Sequence, residues 1–257
     1  MRVTILGCGT SAGVPRPGGK DGKGEWGAAN PNDPRNRRRR CSILVQDKGK
    51  TVLVDTSPDL RSQLLDAYVE RVDAVLWTHD HADQLHGIDD LRPYMLRQGQ
   101  IESWSDQRTF GVLQRRFGYC FEQDGFYGAI YRHNLIDGPF RAAGLAVTPI
   151  PQDHGSMPSL GFRFGRFAYS NDVVELPDEA FEVMKGVDVL VIDAMRYRPH
   201  PTHAHLERTL QWIKRIGPKQ AFLTNLHVDM DYAELDRRTP DGVRPCYDGL
   251  LIDADGE

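Results

Sequence analysis

Four side chains that can bind metal ions lie within eight positions of the chain, at His79, His81, Asp83 and His86. Imidazole nitrogens and carboxylate oxygens are ligands that zinc and manganese take from proteins. In an extended stretch alternate residues point the same way, so His79 and His81 can face one ion. Asp83 and His86 share a face if the backbone turns helical, and there they can meet a second ion. A lone histidine is more often a solvated loop residue, but this density predicts a metal centre.

Short apolar strands are the elements that must position these ligands. The run Val72–Thr78 predicts a strand that ends directly before His79, and the stretch Ile88–Arg97 predicts a helix after the ligands. Three further apolar runs of the second half end shortly before His154, Asp172 and His227. Rigid strand ends can hold side chains from distant parts of a chain at fixed positions. The parallel placement predicts that these residues belong to one site.

The stretch His79-Asp80-His81-Ala82-Asp83-Gln84 resembles the His-x-His-x-Asp-His signature of the metallo-β-lactamase superfamily of metallohydrolases. Gln84 stands where the signature has its last histidine. The resemblance implies an α/β fold, the αββα sandwich, in which two mixed β-sheets pack face to face with helices outside. We expect a single domain over residues 1–257, with a long loop over residues 17–36.

The resemblance also assigns the metal ligands and implies two divalent ions, Mn²⁺ or Zn²⁺, as cofactors. The ligand set that it implies is His79, His81 and His154 for the first ion, Asp83 and His227 for the second, and Asp172 as the bridge. Because an amide at Gln84 binds these ions poorly, we expect His86 to complete the second site. The alternative is that His86 only caps or packs the following helix.

The amino-terminal strand Arg2–Leu6 runs into the glycine-rich turn Gly7–Pro15. This turn resembles the opening of the superfamily branch that contains the phosphoribosyl 1,2-cyclic phosphate phosphodiesterase and, more distantly, the pyrroloquinoline quinone biosynthesis protein B. Glycines permit close backbone approach to a ligand, and we predict that Thr10 and Ser11 bind substrate. Relatives often hold a structural zinc with cysteines of the next loop, which is not expected here because residues 17–36 include none.

The motif Pro201-Thr202-His203 leads into a helix predicted over His205–Ile216. Its resemblance to the same branch implies that His203 lies beside the substrate phosphate rather than on the metal ions. We expect His203 to act as a catalytic residue, together with Asp83, by stabilising the phosphorus centre or protonating the leaving oxygen. The motif could be misplaced by one histidine, in which case the role belongs to His200 or His205.

Two other polar features could serve the site. The run Arg37-Arg38-Arg39-Arg40 is either a solvated segment or a phosphate clamp, in which one or two arginines, Arg40 among them, bind substrate. Asp55 resembles the family's acidic residue that supports the metal ligands from behind, or else it is a turn or helix-capping carboxylate. The aromatic-rich segment Phe110–Tyr131 has three interpretations, which are part of the core, a subunit contact, or a lid that stacks on a base or sugar.

Composition limits the choice of partners. The 257 residues carry a formal charge of −4, which argues against an extended polyanion-binding face but permits a local phosphate pocket. No apolar run approaches membrane-spanning length and the amino terminus does not resemble a signal peptide, so we expect a cytoplasmic protein with no membrane partner. The four cysteines are scattered and indicate neither a disulfide framework nor a zinc knuckle.

The function that these features predict is hydrolysis of a small, cyclic phosphate ester of ribose or a nucleotide by a hydroxide shared between two ions. The expected partners are therefore a small phosphate-ester or nucleotide ligand and no large nucleic acid, and a homodimer is an expected assembly. The alternatives are an RNA-processing nuclease of the tRNA 3′-end type, a thioesterase of the glyoxalase type, and a non-catalytic metal or nucleotide-binding module in cofactor biosynthesis.

Overall fold

The computed structural model describes residues 1–123 and 128–254. These residues form fourteen strands. The strands are β1 (Arg2–Gly7), β2 (Ser42–Asp47), β3 (Lys50–Val54), β4 (Ala74–Leu76), β5 (Ile101–Ser105), β6 (Tyr131–Leu135), β7 (Phe140–Ala142), β8 (Leu145–Asp153), β9 (Pro158–Phe164), β10 (Phe167–Ser170), β11 (Val189–Asp193), β12 (Gln220–Thr224), β13 (Val243–Pro245) and β14 (Leu251–Asp253).

Seven α-helices lie between the strands in the described ranges. They are α1 (Leu60–Asp66), α2 (Ala82–Leu85), α3 (Arg92–Gln98), α4 (Gln107–Phe117), α5 (Asp178–Met184), α6 (Leu206–Ile216) and α7 (Tyr232–Arg238). Local sequence sets several of their ends. Asp106 caps α4 by accepting a hydrogen bond from the Thr109 amide, and Gly217 ends α6 in the left-handed conformation that favours glycine.

The strands form two seven-stranded mixed sheets with similar construction. The first has the order β14-β1-β2-β3-β4-β5-β6 and the second β13-β12-β11-β10-β9-β8-β7. In each sheet one half is antiparallel and the other parallel, with β3 to β6 parallel in the first and β10 to β13 parallel in the second. This architecture confirms the predicted fold class.

Alternation along the strands explains how the layers pack. Ile43 and Val45 of β2 belong to the core between the two sheets, where they share a cluster with Phe162 and Tyr169 of the second sheet. Leu44, between them, faces the other way and packs with Leu60 of α1. Both faces of each sheet are therefore buried, which is why the central strands are almost continuously apolar.

Several predicted elements are shorter or differently built than expected. Within the predicted strand Val72–Thr78 only Ala74–Leu76 pairs as β4, and the predicted helix Ile88–Arg97 is a 3-10 turn followed by α3. The described aromatic side chains of Phe110–Tyr131 belong mainly to the core, since Tyr131 packs on Trp77 with ring centroids 5.2 Å apart. Phe126 and Tyr127 of that segment lie outside the described residues.

None of the helices in the described ranges has the length and apolar character that crossing a bilayer requires.

Candidate metal centre and active site

Backbone strain marks the strand ends that build the site. Asp55, Asp172 and Asn225 follow β3, β10 and β12, and each has a positive φ, of 63°, 52° and 63°. Residues other than glycine rarely adopt this left-handed conformation, and it persists where surrounding contacts determine it. All three side chains are buried, and the Asn225 amide donates to Asp172 Oδ1 at 3.4 Å. The strained positions thus coincide with the predicted site.

Three histidines converge on one point. Nε2 of His79 lies 3.0 Å from Nδ1 of His81, and Nε2 of His154 lies 3.3 Å from the same atom. His79 follows β4 in the first sheet, whereas His154 follows β8 in the second. The structure therefore brings together the predicted first-ion ligands from both halves of the chain.

Neighbouring groups orient two of these imidazoles. His154 Nδ1 lies 2.7 Å from the Thr202 carbonyl oxygen, to which it must donate its proton, so Nε2 carries the lone pair. Burial lowers the pKa of His154 to about 4 and that of His79 well below its usual range. Both rings are therefore neutral near neutral pH, which is the form that binds metal ions.

The donor set of these three histidines fits one divalent ion. In tetrahedral zinc sites the Zn–N distance is about 2.0–2.1 Å, which separates neighbouring nitrogens by roughly 3.3 Å. The two nitrogen–nitrogen separations, 3.0 and 3.3 Å, agree with that spacing. Asp172 lies next to the group, with Oδ1 at 3.9 Å from His154 Nε2. The sequence predicts Asp172 as a bridge between two ions, and its position beside His154 leaves it close enough to approach an ion held by the histidines.

His79 is supported from behind through a threonine. Asp55 accepts hydrogen bonds from the Thr78 amide and hydroxyl at 2.8 and 2.9 Å, and the Thr78 hydroxyl lies 3.0 Å from His79 Nδ1. Asp55 is fully buried, so its carboxylate fixes the strand end that carries His79. This contact is the supporting role that the sequence left open for Asp55, made through Thr78 rather than directly.

His203 lies beside this group and is held by a carboxylate. His203 Nδ1 is 2.9 Å from Asp193 Oδ2 and 3.7 Å from Asp172 Oδ1. Burial by itself lowers the pKa of His203, but the facing carboxylates of Asp193 and Asp172 raise it to about 9. Since Asp193 engages Nδ1, Nε2 is the nitrogen that can meet a ligand. His154, Asp172 and His203 have ligand atoms within 4.8 Å of one another.

The loop that carries His203 is docked tightly on the metal-ligand loops. The Ala204 amide donates to the Val173 carbonyl at 2.7 Å. Gly155, with φ +82°, approaches the same loop so closely that a Cβ there would lie 2.8 Å from Thr202 Cγ2. Only glycine fits this left-handed, crowded position, which lets His154 reach the Thr202 carbonyl.

Asp193 and Asn225 lie at the site although no sequence motif assigned them to it. Asp193 is fully buried at the end of β11, and Asn225 donates to its Oδ2 at 3.2 Å. Both residues end or directly follow a short apolar strand, as His79 and Asp172 do. That pattern was available in the sequence and would have identified both.

The predicted second-ion ligands are not assembled in the same way. Asp83 Oδ2 accepts a hydrogen bond from Gln84 Nε2 at 3.2 Å, and the same amide donates to Asp172 Oδ2 at 3.1 Å. His227 Nε2 is hydrogen-bonded by the guanidinium of Arg16. Neither Asp83 nor His227 belongs to the groups of described His, Cys, Asp and Glu side chains that are close enough to share an ion.

His86 does not lie with the other ligands that the sequence predicts for the second ion. It is exposed at the end of α2, and its ring packs edge-on against Phe117 with centroids 5.7 Å apart. Among the described residues, two groups of side chains could share an ion, and His86 belongs to neither. The turn over Ala82–Leu85 is only four residues long, and it directs His86 toward α4. The alternative left open in the sequence was a contact with the following helix, whereas the structure shows a contact with Phe117 of α4.

The predicted substrate-binding residues have structural partners of their own. Arg40 pairs with Asp59 at 3.1 Å. Thr10 is buried, whereas Ser11 is exposed. The glycines of this turn are needed for backbone packing, since a Cβ on Gly9 would lie 2.9 Å from the Arg38 carbonyl. The turn lies beside the His227 segment, because the Leu226 amide donates to the Cys8 carbonyl at 2.8 Å. No contact described for Thr10, Ser11 or Arg40 reaches the histidine group.

Two other arginines of the run, Arg38 and Arg39, are engaged elsewhere. Arg38 is buried, where it donates to the carbonyls of Met230 at 2.7 Å and of His227 at 3.3 Å. Arg39 pairs with Asp66 at 2.5 Å. The run therefore supports the His227 loop and the α1 end of the first sheet rather than forming an open clamp.

Comparisons with known proteins agree with this geometry. A family model described as the beta-lactamase superfamily domain matches residues 50–225. A solved structure described as a new diphosphatase from the PhnP family is 33% identical, with a TM-score of 0.89 over 98% of this chain and 97% of that one. The short form of human tRNase Z shares the fold, with 17% identity and a TM-score of 0.69 over 99% of each chain.

A curated relative is an octanoyltransferase of Porphyromonas gingivalis, which is 33% identical over 265 residues. The alignment covers 100% of this chain and 52% of the relative, so the chain spans about half the length of that protein. The family match covers most of the chain, and its range includes the three histidines that converge on one point. The chain therefore belongs to the β-lactamase superfamily and is similar to its PhnP family.

Proposed function

We propose that this protein is a metal-dependent hydrolase of small phosphate esters, with cyclic phosphate esters of ribose or of nucleotides as the first candidates. One observation carries the proposal. His154 belongs both to the group of three histidines that fits an ion and to the group that contains Asp172 and His203, and Asp172 Oδ1 lies 3.9 Å from His154 Nε2 and 3.7 Å from His203 Nδ1. A metal-ligand cluster thus borders directly on an imidazole that a carboxylate holds in place, and hydrolysis at phosphorus requires both.

The proposed roles of the chain's own residues follow from their contacts. His79, His81, His154 and Asp172 would hold one divalent ion, Zn²⁺ or Mn²⁺. Such an ion, when bound, polarises a phosphoryl oxygen and lowers the pKa of water. Asp172 is well supported for this role, because Asn171 and Gln84 donate to its Oδ2 at 2.5 and 3.1 Å. These donors fix the carboxylate so that Oδ1 remains directed toward His154 and His203.

His203 would act on the substrate itself. Asp193 accepts the Nδ1 proton and stabilises positive charge on the ring, so Nε2 can donate to a phosphoryl oxygen or to the leaving oxygen. Asn225 contacts both partners, at 3.1 Å from His203 Nδ1 and 3.2 Å from Asp193 Oδ2. Asp193 and Asn225 are positioning residues in this scheme, because they act through His203.

The proposed substrate is small because the chain offers little for a long polyanion. The net charge is −4, and the arginines 38 to 40 are engaged by carbonyl or carboxylate groups of the chain. Likeness to tRNase Z at 17% identity concerns the fold alone. The PhnP-family relative is described as a diphosphatase, so diphosphate esters are the second substrate class to test.

A substrate panel tests the proposal. Metal-loaded protein is assayed with an aryl phosphodiester, nucleoside cyclic phosphates, a nucleoside diphosphate ester and an acyl thioester, with metal content measured on the same samples. We expect hydrolysis of at least one phosphate ester, its loss in His203→Ala, and its retention in the surface control Arg39→Ala. Hydrolysis of the thioester alone, or bound metal with no hydrolysis of any compound, would contradict the proposal.

A further inference from the structure

We propose that Arg16 and Gln84 occupy the place of a second metal ion, so that each chain binds one ion and Arg16 supplies the second positive charge. The proposed number of ions is inferred from the contacts of Arg16 and Gln84. The further step, that the Arg16 charge meets a substrate phosphate, rests on the proposed function above.

Gln84 blocks the carboxylate side of the second site. Its side chain is buried, and Nε2 donates to Asp83 Oδ2 at 3.2 Å and to Asp172 Oδ2 at 3.1 Å. An amide nitrogen has donors and no lone pair for a metal ion. These two carboxylates could share an ion only after the amide group that contacts both had moved away. The other end, Oε1, is buried without a hydrogen-bond partner among the described groups, so the amide is oriented by its N–H contacts.

Arg16 blocks the histidine side. A guanidinium only donates, so the hydrogen bond from Arg16 Nη2 uses the lone pair on His227 Nε2. The other ring nitrogen, Nδ1, lies 3.1 Å from Asp229 Oδ2 and 3.2 Å from the Asp229 amide nitrogen, so it also has partners within the chain. With both ring nitrogens engaged, His227 offers no lone pair to an ion.

The chain holds Arg16 firmly in this position. The Arg16 amide donates to the Glu25 carbonyl at 3.0 Å, and the Glu25 amide donates back at 2.9 Å. His227 is fixed in turn, because its amide donates to the Met195 carbonyl at 3.0 Å and its carbonyl accepts from Arg38. The contact between Arg16 and His227 thus joins two backbone segments that are each held by hydrogen bonds.

The remaining donors of Arg16 suit a phosphate. Its Nη1 is 3.9 Å from Glu25 Oε2, and its buried Nε has no hydrogen-bond partner among the described residues. A guanidinium offers paired donors that match phosphate oxygens. A fixed cation at His227, where the second ion was expected, can therefore neutralise substrate charge, which in a two-ion enzyme is a task of that ion.

Metal stoichiometry tests the proposal without reference to activity. The full chain is loaded with excess Zn²⁺ or Mn²⁺ and freed of loose ions, and metal is measured per chain by mass spectrometry. The manganese-loaded protein is also examined by electron paramagnetic resonance. We expect about one ion per wild-type chain and the spectrum of isolated rather than spin-coupled ions.

Three variants sharpen the test, with Arg39→Ala as the matched control. Gln84→His provides a metal ligand beside Asp83, and Arg16→Ala frees His227. We expect the double variant to bind about two ions, while Arg39→Ala still binds about one. Two tightly bound, spin-coupled ions in the wild type would overturn the proposal. So would a double variant with an unchanged melting temperature that still binds a single ion.

The design separates this inference from the proposed function. If the double variant does not fold, the wild-type count and spectrum decide by themselves. One ion per chain with no phosphate-ester hydrolysis would contradict the proposed function and leave the proposed number of ions supported.

The step in which the Arg16 charge meets a substrate phosphate has its own test. We expect Arg16→Ala to raise KM by roughly 10-fold or more and Arg16→Lys to restore part of the loss. An unchanged KM in both variants would contradict that step.

Discussion

His203 Nδ1 donates a hydrogen bond to the Asp193 carboxylate at 2.9 Å, and this contact joins the loop before α6 to the end of β11. It determines which nitrogen of His203 is available to a ligand. Because Asp193 is fully buried at a strand end, the imidazole it holds is positioned by the sheet rather than by a mobile loop. The arrangement is an orienting carboxylate behind a candidate acid, beside a separate group of metal ligands.

The pair of His203 and Asp193 gives the first prediction. His203→Ala should lower kcat by roughly 10²-fold or more and leave metal content unchanged. Asp193→Asn should also lower kcat, because the ring loses its charged partner, and the double variant should be no worse than His203→Ala. The measurement is a double-mutant cycle on kcat and KM. Fully additive losses, or loss of metal in His203→Ala, would contradict the assigned roles.

Asp172→Ala should abolish hydrolysis and lower metal affinity. Its Oδ1 lies between the group of ion ligands and His203, at 3.9 Å from His154 Nε2 and 3.7 Å from His203 Nδ1. Titration with Zn²⁺ by calorimetry, alongside the hydrolysis assay, checks both effects. Full activity with unchanged affinity would remove Asp172 from the site.

His86→Ala should leave metal content and hydrolysis close to those of the wild type. Its imidazole is exposed and packs on Phe117, away from the ligand group. The measurement is metal per chain together with kcat, and His81→Ala is the matched change that should lose metal. Loss of an ion in His86→Ala would restore the ligand role that the sequence predicted.

Stability should depend on pH through His133, which belongs to neither group of candidate metal ligands. Its ring stacks on Phe110 with centroids 3.7 Å apart, and burial lowers its pKa from 6.5 to about 4. The unfolded chain therefore takes up a proton below about 6.5 while the folded chain does not, so the contribution is full above that pH and is lost toward pH 4. The free-energy difference of unfolding between wild type and His133→Asn should shrink over that window. A constant difference would contradict the buried, neutral ring.

Much of the fold and of the candidate ligand group could be predicted from the sequence. The density of ligands after a short apolar strand located His79 and His81, and the same strand-end pattern located His154 and Asp172. These residues lie at fixed short spacings after strands, so the local sequence is sufficient to identify them. The buried carboxylate Asp193 fits the same pattern and was overlooked.

The contacts that occupy Asp83 and His227 are ones that no local pattern reveals. The contact between Arg16 and His227 joins residues 211 positions apart, and Arg16 lies in a loop whose sequence does not indicate a site. Likewise, whether His86 turns inward depends on the length of the turn over Ala82–Leu85 and on the partner Phe117. Side-chain competition of this kind is decided by tertiary packing.

Anomalous X-ray scattering from crystals grown with Zn²⁺ tests the central claim most directly. The account predicts a zinc peak within about 2.0–2.1 Å of Nε2 of His79, Nδ1 of His81 and Nε2 of His154. The three nitrogens that lie 3.0 and 3.3 Å apart in pairs would then be its ligands. Zinc-containing crystals with no peak at these nitrogens, or with the zinc bound only elsewhere on the chain, would contradict the account.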